Sequence, residues 1–405
     1  MAKVLVVTYG GGHVNMLVPL IRRLKLDGYE VQVLGLTTAG NILANAGIAF
    51  FGFKDLIEYT VDPQQALQLG RQLVGTRSQS SSVPYDESVA YHGVCYLELV
   101  TEFGEKAAAE LYARKGRQAF MPKQILRKLI ASMQPDLVVA TNSPRSEQAA
   151  IEAAAELSVP ALCLVDLFAK QAIDWIAKQG YANKVCVMSE YVRQAFIAAG
   201  RKELEVVATG NPIFDQLEAV RTTIKERQQI SARERVVLWA SQIEPAVHPF
   251  TGAVGLPTLP RKIEEQLLHI AAKHPDRSFI FRPHPSENTI CQSLPANVRI
   301  SDKTEDLHSL LTQVDTVVTM TSTVGLEAAL VGLPVVTVDL SVITSDAPYS
   351  EMGISIGVRD LSQLDSVIDK CLHQGHQVDK HALPEFGTAV DNIMKEIEAL
   401  VAHVS

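Results

Sequence analysis

The residue types best suited to chemistry in this chain gather in three short segments. In the second half, Thr319-Met320-Thr321-Ser322-Thr323-Val324-Gly325-Leu326-Glu327 runs from an apolar strand pattern through small hydroxylated residues into a helix pattern. Hydroxyls beside the free N–H groups of a helix N-terminus form a cradle for phosphate. Thr321, Ser322, Thr323 and Gly325 are the expected cradle. Glu327, one turn into the helix, is placed to accept both hydroxyls of a ribose. The second segment, Phe281-Arg282-Pro283-His284-Pro285, also follows a strand pattern. Its two prolines stiffen the turn, which suits it to aim Arg282 and His284 at the same anion. The third segment, Tyr9-Gly10-Gly11-Gly12-His13, stands between the first strand and the first helix. Gly11 and Gly12 let a ligand approach the backbone, and His13 can contact substrate, act as a base or cap the helix. Taken singly, Ser322 reads as an N-cap and Glu327 as a partner of the helix dipole. The Arg-Pro-His-Pro turn beside them favours the phosphate reading.

A dinucleotide site is poorly supported. The Gly-x-Gly-x-x-Gly spacing fails because residue 15 is Asn, and Leu36-Thr37-Thr38 rather than an acidic residue ends the second strand.

These segments need strands that end near one another. Strand and helix patterns alternate along 1–210 and again from 236 onward, which predicts parallel sheets covered by helices on both faces. The length of 405 residues suits two domains of about 200 residues each. The expected architecture is α/β: two doubly wound Rossmann-like domains with an interdomain cleft. The expected boundaries are 1–210 for the first domain, 211–385 for the second, and 386–405 for a C-terminal helix that packs back on the first. Residues from about 55 to 120 break the rhythm. This stretch, which holds the serines Ser78, Ser80, Ser81 and Ser82, reads as an inserted helical or loop region near a substrate mouth. Gly210-Asn211-Pro212 followed by the polar stretch Arg221 to Arg235 reads as an interdomain crossing.

The net charge of −8 argues against a general nucleic-acid binder. The excess acid lies in the second half. The first half carries a basic run, Arg114, Lys115, Arg117, Lys123, Arg127 and Lys128, which reads as a solvated helix face; contact of 114–128 with an anionic membrane surface is the sharper alternative. Apolar runs fall short of the about 18 residues of a membrane span, and the chain opens on a strand without a leader, so a cytoplasmic location is expected. The five cysteines lack metal-like or redox-like spacing and read as buried reduced thiols.

The motifs resemble those of known families. The Gly-Gly-His turn looks like that of the peptidoglycan N-acetylglucosaminyltransferase. The second half is similar to the UDP-N-acetylglucosamine 2-epimerases and, more closely, to bacterial capsule and wall transferases that use CMP- or CDP-activated donors. The segment Thr209-Gly210-Asn211-Pro212-Ile213-Phe214-Asp215 resembles the interdomain link of these groups. Arg282-Pro283-His284-Pro285 resembles the His-Pro motif of bacterial sialyl-, Kdo- and glycerophosphate transferases, and Ser322 to Ala328 their Ser/Thr motif with its ribose-binding Glu. The resemblance spans about 135–340 and implies the GT-B fold. Two departures separate the chain from the epimerases. Ser241-Gln242-Ile243-Glu244-Pro245 stands where they carry His-Arg-Arg-Glu-Asn, and Asn142 or Ser143 stands where they use an Asp. Asn cannot take a proton, which disfavours epimerase chemistry at that position. Asp166 falls near their catalytic Glu and stays a candidate.

The resulting expectation is a metal-independent, inverting glycosyltransferase serving surface polysaccharide or glycoconjugate synthesis in a bacterium. Its donor would be a UDP-, CMP- or CDP-sugar, held by Gly11, Gly12, Ser241, Gln242, Arg282, His284, Thr321, Ser322, Thr323, Gly325 and Glu327. The base would be His13, Asp166, Asp86, Glu87 or His92, and the acceptor a glycan or a lipid-linked group. No cofactor and no metal are expected, since Asp302 and Asp306 read as loop and cap residues; a homodimer is a further expectation. Two alternatives stay open: a nucleotide-sugar 2-epimerase or hydrolase on the same fold, and a non-catalytic nucleotide-sugar-binding protein.

Overall fold

The computed structural model describes residues 1–75, 83–230, 234–287, 294–379, 381–384 and 387–402. The serines Ser78, Ser80, Ser81 and Ser82, and Cys291, lie outside the described residues. The chain forms two compact units. One comprises Met1–Met188, Val192–Ile213 and Thr388–Ser405; the other comprises Ser189–Tyr191 and Phe214–Gly387.

The first unit is built on a parallel sheet of β1 (Lys3–Thr8), β2 (Glu30–Gly35), β3 (Leu137–Thr141), β4 (Ala161–Leu164), β5 (Lys184–Val187) and β6 (Val206–Ala208). Their order is β2-β1-β3-β4-β5-β6. Val4 to Val7 are wholly buried, as a strand covered on both faces requires. The helix Gly12–Leu26 presents Leu17, Leu20, Ile21 and Leu24 to the sheet at helical spacing. The last helix, Ala389–Ala402, adds Ile393, Met394, Ile397 and Leu400 to the same core. The order reverses at β1, so the loops after β1 and β3 diverge over its C-terminal end. Such a switch point is where open α/β sheets bind ligands.

Between β2 and β3 the chain forms the helices Pro63–Val74, Tyr85–Phe103, Glu105–Lys115 and Lys123–Met133. The first two pack backbone to backbone: a Cβ at Gly70 would lie 2.0 Å from the Val89 carbonyl oxygen, and one at Gly93 1.9 Å from that of Ala66. Asp86 and Glu87, expected as base candidates, have structural duties here. Glu87 is buried, and its two oxygens accept the backbone N–H groups of Phe53 (2.9 Å) and Lys54 (3.1 Å). Asp86 pairs with the Lys54 ammonium at 3.3 Å on the surface. His92 bonds through Nδ1 to the Ser88 carbonyl, 2.8 Å away in its own helix. In the basic run, Lys123 pairs with Glu156 at 2.9 Å, and Lys128 donates to the Tyr59 carbonyl at 2.9 Å.

These helices line a cavity of about 670 Å3, walled by Val94, Leu97, Leu111 and Ile125 with Glu98 among them. Burial pushes the Glu98 carboxyl from 4.5 up to about 7, although its oxygens accept the backbone N–H groups of Gln124 (3.1 Å) and Ile125 (2.6 Å). The folded protein thus holds this proton more tightly than the unfolded chain does. The stability it lends is complete below the unfolded value and is lost as pH rises through about 7. The melting temperature is expected to fall between pH 5 and pH 8 by an amount corresponding to roughly 3 kcal/mol from this group, and Glu98→Gln to flatten that slope. Thermal melts of both proteins across the interval check this; parallel slopes would refute it.

The second unit repeats the plan with β7 (Arg235–Ala240), β8 (Arg277–Arg282), β9 (Val298–Ile300), β10 (Thr316–Thr319), β11 (Val335–Val338) and β12 (Ile356–Val358). The sheet is parallel, in the order β12-β11-β10-β7-β8-β9. Trp239 and Phe279 pack against Ile263, Leu267 and Ile270 of the helix Leu259–Lys273. Trp239 Nε1–H donates to Glu264 at 3.1 Å, which satisfies its polar edge inside the core. The order reverses at β7, placing the loops after β7 and β10 together. The stretch from Arg221, read as an interdomain crossing, begins inside the helix Glu218–Gln228, whose Arg227 donates to the Val314 carbonyl (2.9 Å) and to Asp315 (3.2 Å).

Candidate functional site

In the first unit the switch point is lined by His13, Thr141, Glu147 and Asp166. Gly11 caps the helix Gly12–Leu26 at φ +70°, a conformation glycine adopts freely, and contributes no side-chain cap. A Cβ at Gly12 would stand 3.2 Å from Asp166 Oδ2, so the glycine turn lies directly against that carboxylate. Thr141, the last residue of β3, is wholly buried. Its Oγ1 lies 2.8 Å from His13 Nδ1 and donates to Glu147 Oε1 at 2.8 Å. The Tyr9 backbone N–H also donates to Glu147 Oε1, at 3.1 Å. Glu147 is in the first turn of the helix Ser146–Glu156 and is 1% exposed. Burial pushes its carboxyl above the ordinary range, and the facing His13 offsets part of that rise. Asp166 is raised for the same reason and eased by the same histidine.

Strain gathers at this edge. Among the described residues, six other than glycine have positive φ; four of them, Thr37, Arg145, Leu167 and Ala169, lie in the loops after β2, β3 and β4. Such backbone persists only where its surroundings impose it, and it clusters at functional sites. Arg145 also places its guanidinium 5.4 Å from the centre of the Tyr9 ring. Asn142 accepts the Asp166 backbone N–H at 2.7 Å, so the residue that cannot carry a proton holds the loop of one that can.

In the second unit the loops after β7 and β10 are joined by Gln242. Its side-chain amide donates to Thr321 Oγ1 (2.9 Å) and accepts the Thr321 backbone N–H (2.8 Å). Ser241 is buried, and its Oγ has no hydrogen-bond partner among the described residues. Ser322 caps the helix Thr323–Leu330 by accepting the Val324 N–H at 3.3 Å. Thr323 opens that helix and is exposed, leaving its N-terminal turn open to an anion. Gly325 was expected to touch the ligand, but it is buried: a Cβ there would lie 2.8 Å from Thr319 Cγ2. Its part is close packing of helix on strand.

Arg282 donates to Ser301 Oγ (3.1 Å) and to the Glu305 carbonyl (2.9 Å), which fixes the guanidinium against the loop after β9. His284 Nδ1 accepts the Ser286 N–H at 3.2 Å. The proton of the neutral ring is therefore on Nε2, a donor suited to phosphate oxygens. Glu327 is not a lone carboxylate, since Oε2 lies 3.1 Å from His308 Nε2. Burial pushes Glu327 up, and His308 and Arg282 oppose the rise. Asp302 and Asp306 act as loop and cap residues, accepting N–H groups from Thr304 and Ser309.

Thr141, Glu147 and His308 were missed as site residues. Glu147 opens an alanine-rich helix, and a carboxylate on the face that such a helix buries was the available signal. Among the described residues, no group of three or more His, Cys, Asp or Glu side chains is disposed to hold a metal, and no helix is long and apolar enough to cross a membrane.

Comparison with known proteins corrects the expected reaction. The model of the UDP-N-acetylglucosamine 2-epimerase family matches residues 176–341. That span includes Ser241, Gln242, Arg282, His284, Ser322 and Glu327 and leaves out His13, Thr141, Glu147 and Asp166. No curated protein matches the sequence. The fold is similar to the UDP-GlcNAc 2-epimerase of Methanocaldococcus jannaschii, at 12% identity over 98% of this chain and 99% of the other, with a TM-score of 0.59. It is similar also to the Neisseria meningitidis UDP-GlcNAc 2-epimerase bound to UDP-GlcNAc, at 13% identity over 98% and 100%, TM-score 0.58. The S. aureus MnaA–UDP structure matches at 12% identity over 99% and 97%, TM-score 0.60. The glycosyltransferase expectation is overturned, because the matching family and the first two of these structures are 2-epimerases. The GT-B architecture, two Rossmann-like α/β units, is the fold this chain has in common with those enzymes.

Proposed function

We propose that this protein acts on a UDP-activated N-acetylhexosamine as a 2-epimerase, the alternative the sequence left open. The observation that carries the reading is the match to the epimerase family over the segment that holds the phosphate and ribose candidates.

Elementary chemistry sets what such a reaction needs. The proton on C2 of the sugar is not acidic by itself. Its removal becomes feasible when the nucleoside diphosphate departs from C1 in the same event. The site must therefore neutralise a departing diphosphate and handle a proton at C2. The N-terminal turn at Thr323, the Ser322 hydroxyl, Arg282 and the Nε2–H of His284 suit the first task; one free oxygen of Glu327 with His308 suits the ribose. His13 and Asp166 are the groups proposed for the second. Asn142 carries no proton, and its place in this reading is to tether Asp166.

The test is incubation with UDP-N-acetylglucosamine in deuterated water. Deuterium at C2 together with the 2-epimer, UDP-N-acetylmannosamine, is expected. Free UDP and sugar without the epimer would replace epimerase by hydrolase. Recovery of unlabelled substrate with no rise in melting temperature would overturn the nucleotide-sugar reading altogether.

A further inference from the structure

We propose that Glu147 is a positioning residue: through the Thr141 hydroxyl it fixes which ring nitrogen of His13 carries the proton, leaving Nε2 as the basic atom. The inference rests on the proton-handling role proposed for His13, but its structural content stands separately.

Hydrogen-bond capacity decides the direction of each bond. Thr141 Oγ1 lies 2.8 Å from both His13 Nδ1 and Glu147 Oε1, and a hydroxyl has one proton to give. Glu147 Oε1 also accepts the Tyr9 N–H, so it is the accepting oxygen whether the carboxyl is ionised or carries a proton on Oε2, and the proton of Thr141 points to Glu147. His13 Nδ1 must then be the donor in its own bond to Thr141. The neutral ring is held as the Nδ1–H form, with a lone pair on Nε2. When Nε2 takes a proton, the imidazolium is stabilised across the hydroxyl by the Glu147 charge.

The fold is arranged to keep that carboxylate in place. The Tyr9 N–H, on the loop that carries His13, donates to the same Oε1 at 3.1 Å. Arg145 turns the chain at φ +75° immediately before the helix that bears Glu147. The charged groups facing this arrangement are Asp166, across His13, and Arg145, stacked on Tyr9. Asp166 lies beside the glycine turn and is not joined to Thr141 by any described bond, so the tautomer is set from the Glu147 side. Burying a carboxylate at 1% exposure is costly, and the relay gives that burial a purpose.

The test reads the ring directly. The protein contains 11 histidines, so the His13 signals are identified by their loss in His13→Gln. Nitrogen-15 NMR of the wild type is expected to show neutral His13 protonated at Nδ1. In Glu147→Met the Thr141 hydroxyl is released to donate to the ring, and the proton is expected to move to Nε2. Thr141→Val removes the bridge and should give the same change. Glu147→Gln keeps an accepting oxygen and should retain the wild-type tautomer, as should Thr141→Ser. In turnover, Glu147→Met and Thr141→Val are expected to lose about 10²–10⁴ in kcat with KM for the nucleotide sugar little changed, while Thr141→Ser stays near wild type. A ring protonated at Nε2 in the wild type, or unchanged in Glu147→Met, overturns the proposal. The NMR result is independent of turnover: the expected tautomers in a protein that leaves UDP-N-acetylglucosamine untouched would sink the epimerase reading and leave the positioning role intact.

Discussion

His13→Ala is expected to reduce turnover of the nucleotide sugar by about 10²–10⁴, the range for loss of a positioned acid–base group, with donor affinity retained. The expectation follows from where the residue sits. His13 lies in the first turn of the helix after β1, its Nδ1 is engaged by Thr141 at 2.8 Å, and in the proposed role its other nitrogen meets the substrate. Apart from Gly11 and Gly12, the residues expected to hold the donor lie in the other unit, so deleting the imidazole should touch the rate and spare the binding. Single-turnover rates with UDP-N-acetylglucosamine and calorimetric titration with UDP separate the two quantities. Loss of affinity in proportion to rate would make His13 a binding group. A rate within a few fold of wild type would leave the proton to Asp166 alone, with Asp166→Asn then showing the full loss.

The second large effect is expected at Glu327. Glu327→Ala should weaken UDP binding by about 10–100-fold, since hydrogen bonds to a charged group contribute roughly 1.5–3 kcal/mol each and 1.4 kcal/mol is tenfold in affinity. His308, 3.1 Å from Oε2, occupies part of the carboxylate that the sequence assigned wholly to a ribose. A grip on two ribose hydroxyls would therefore be divided between Oε1 and the His308 ring, or would require the ring to turn. His308→Ala separates these cases by raising or lowering UDP affinity. An unchanged dissociation constant in Glu327→Ala would remove the ribose assignment.

Much of the frame was legible because parallel sheets write a simple pattern. Val4 to Val7 and Leu137 to Ala140 are unbroken apolar runs, as strands buried on both faces must be. The phosphate candidates were legible because hydroxyls follow β10 at once, and Arg282 and His284 stand at and just beyond the end of β8. What escaped was long-range pairing. Nothing local to Glu147 says that Thr141, six residues back, would link it to His13 across β1 and β3. Nothing local to Asp86 and Glu87 says that their partners are the backbone and ammonium of residues 53 and 54. The short strands β6 and β12, of three residues each, carry too few residues for an alternation to show. The departure at Asn142 weighed too heavily against epimerase chemistry, since Asp166, already a candidate, and Glu147 are both raised by burial.

The helix Ala389–Ala402 completes the core of a unit whose last strand, β6, ends at Ala208. On the ribosome, about 180 further residues are made between the two, which at roughly 5–20 residues per second takes on the order of ten seconds or more. Through that interval the sheet that carries His13 and Asp166 has been synthesised but lacks one of its covering helices, and the apolar face awaiting Ile393, Met394, Ile397 and Leu400 is open to water and to other nascent chains. The second unit has the time to fold before the first is sealed. Maturation of the proposed proton-handling site is thereby tied to synthesis of a helix about 180 residues beyond the last strand of its sheet.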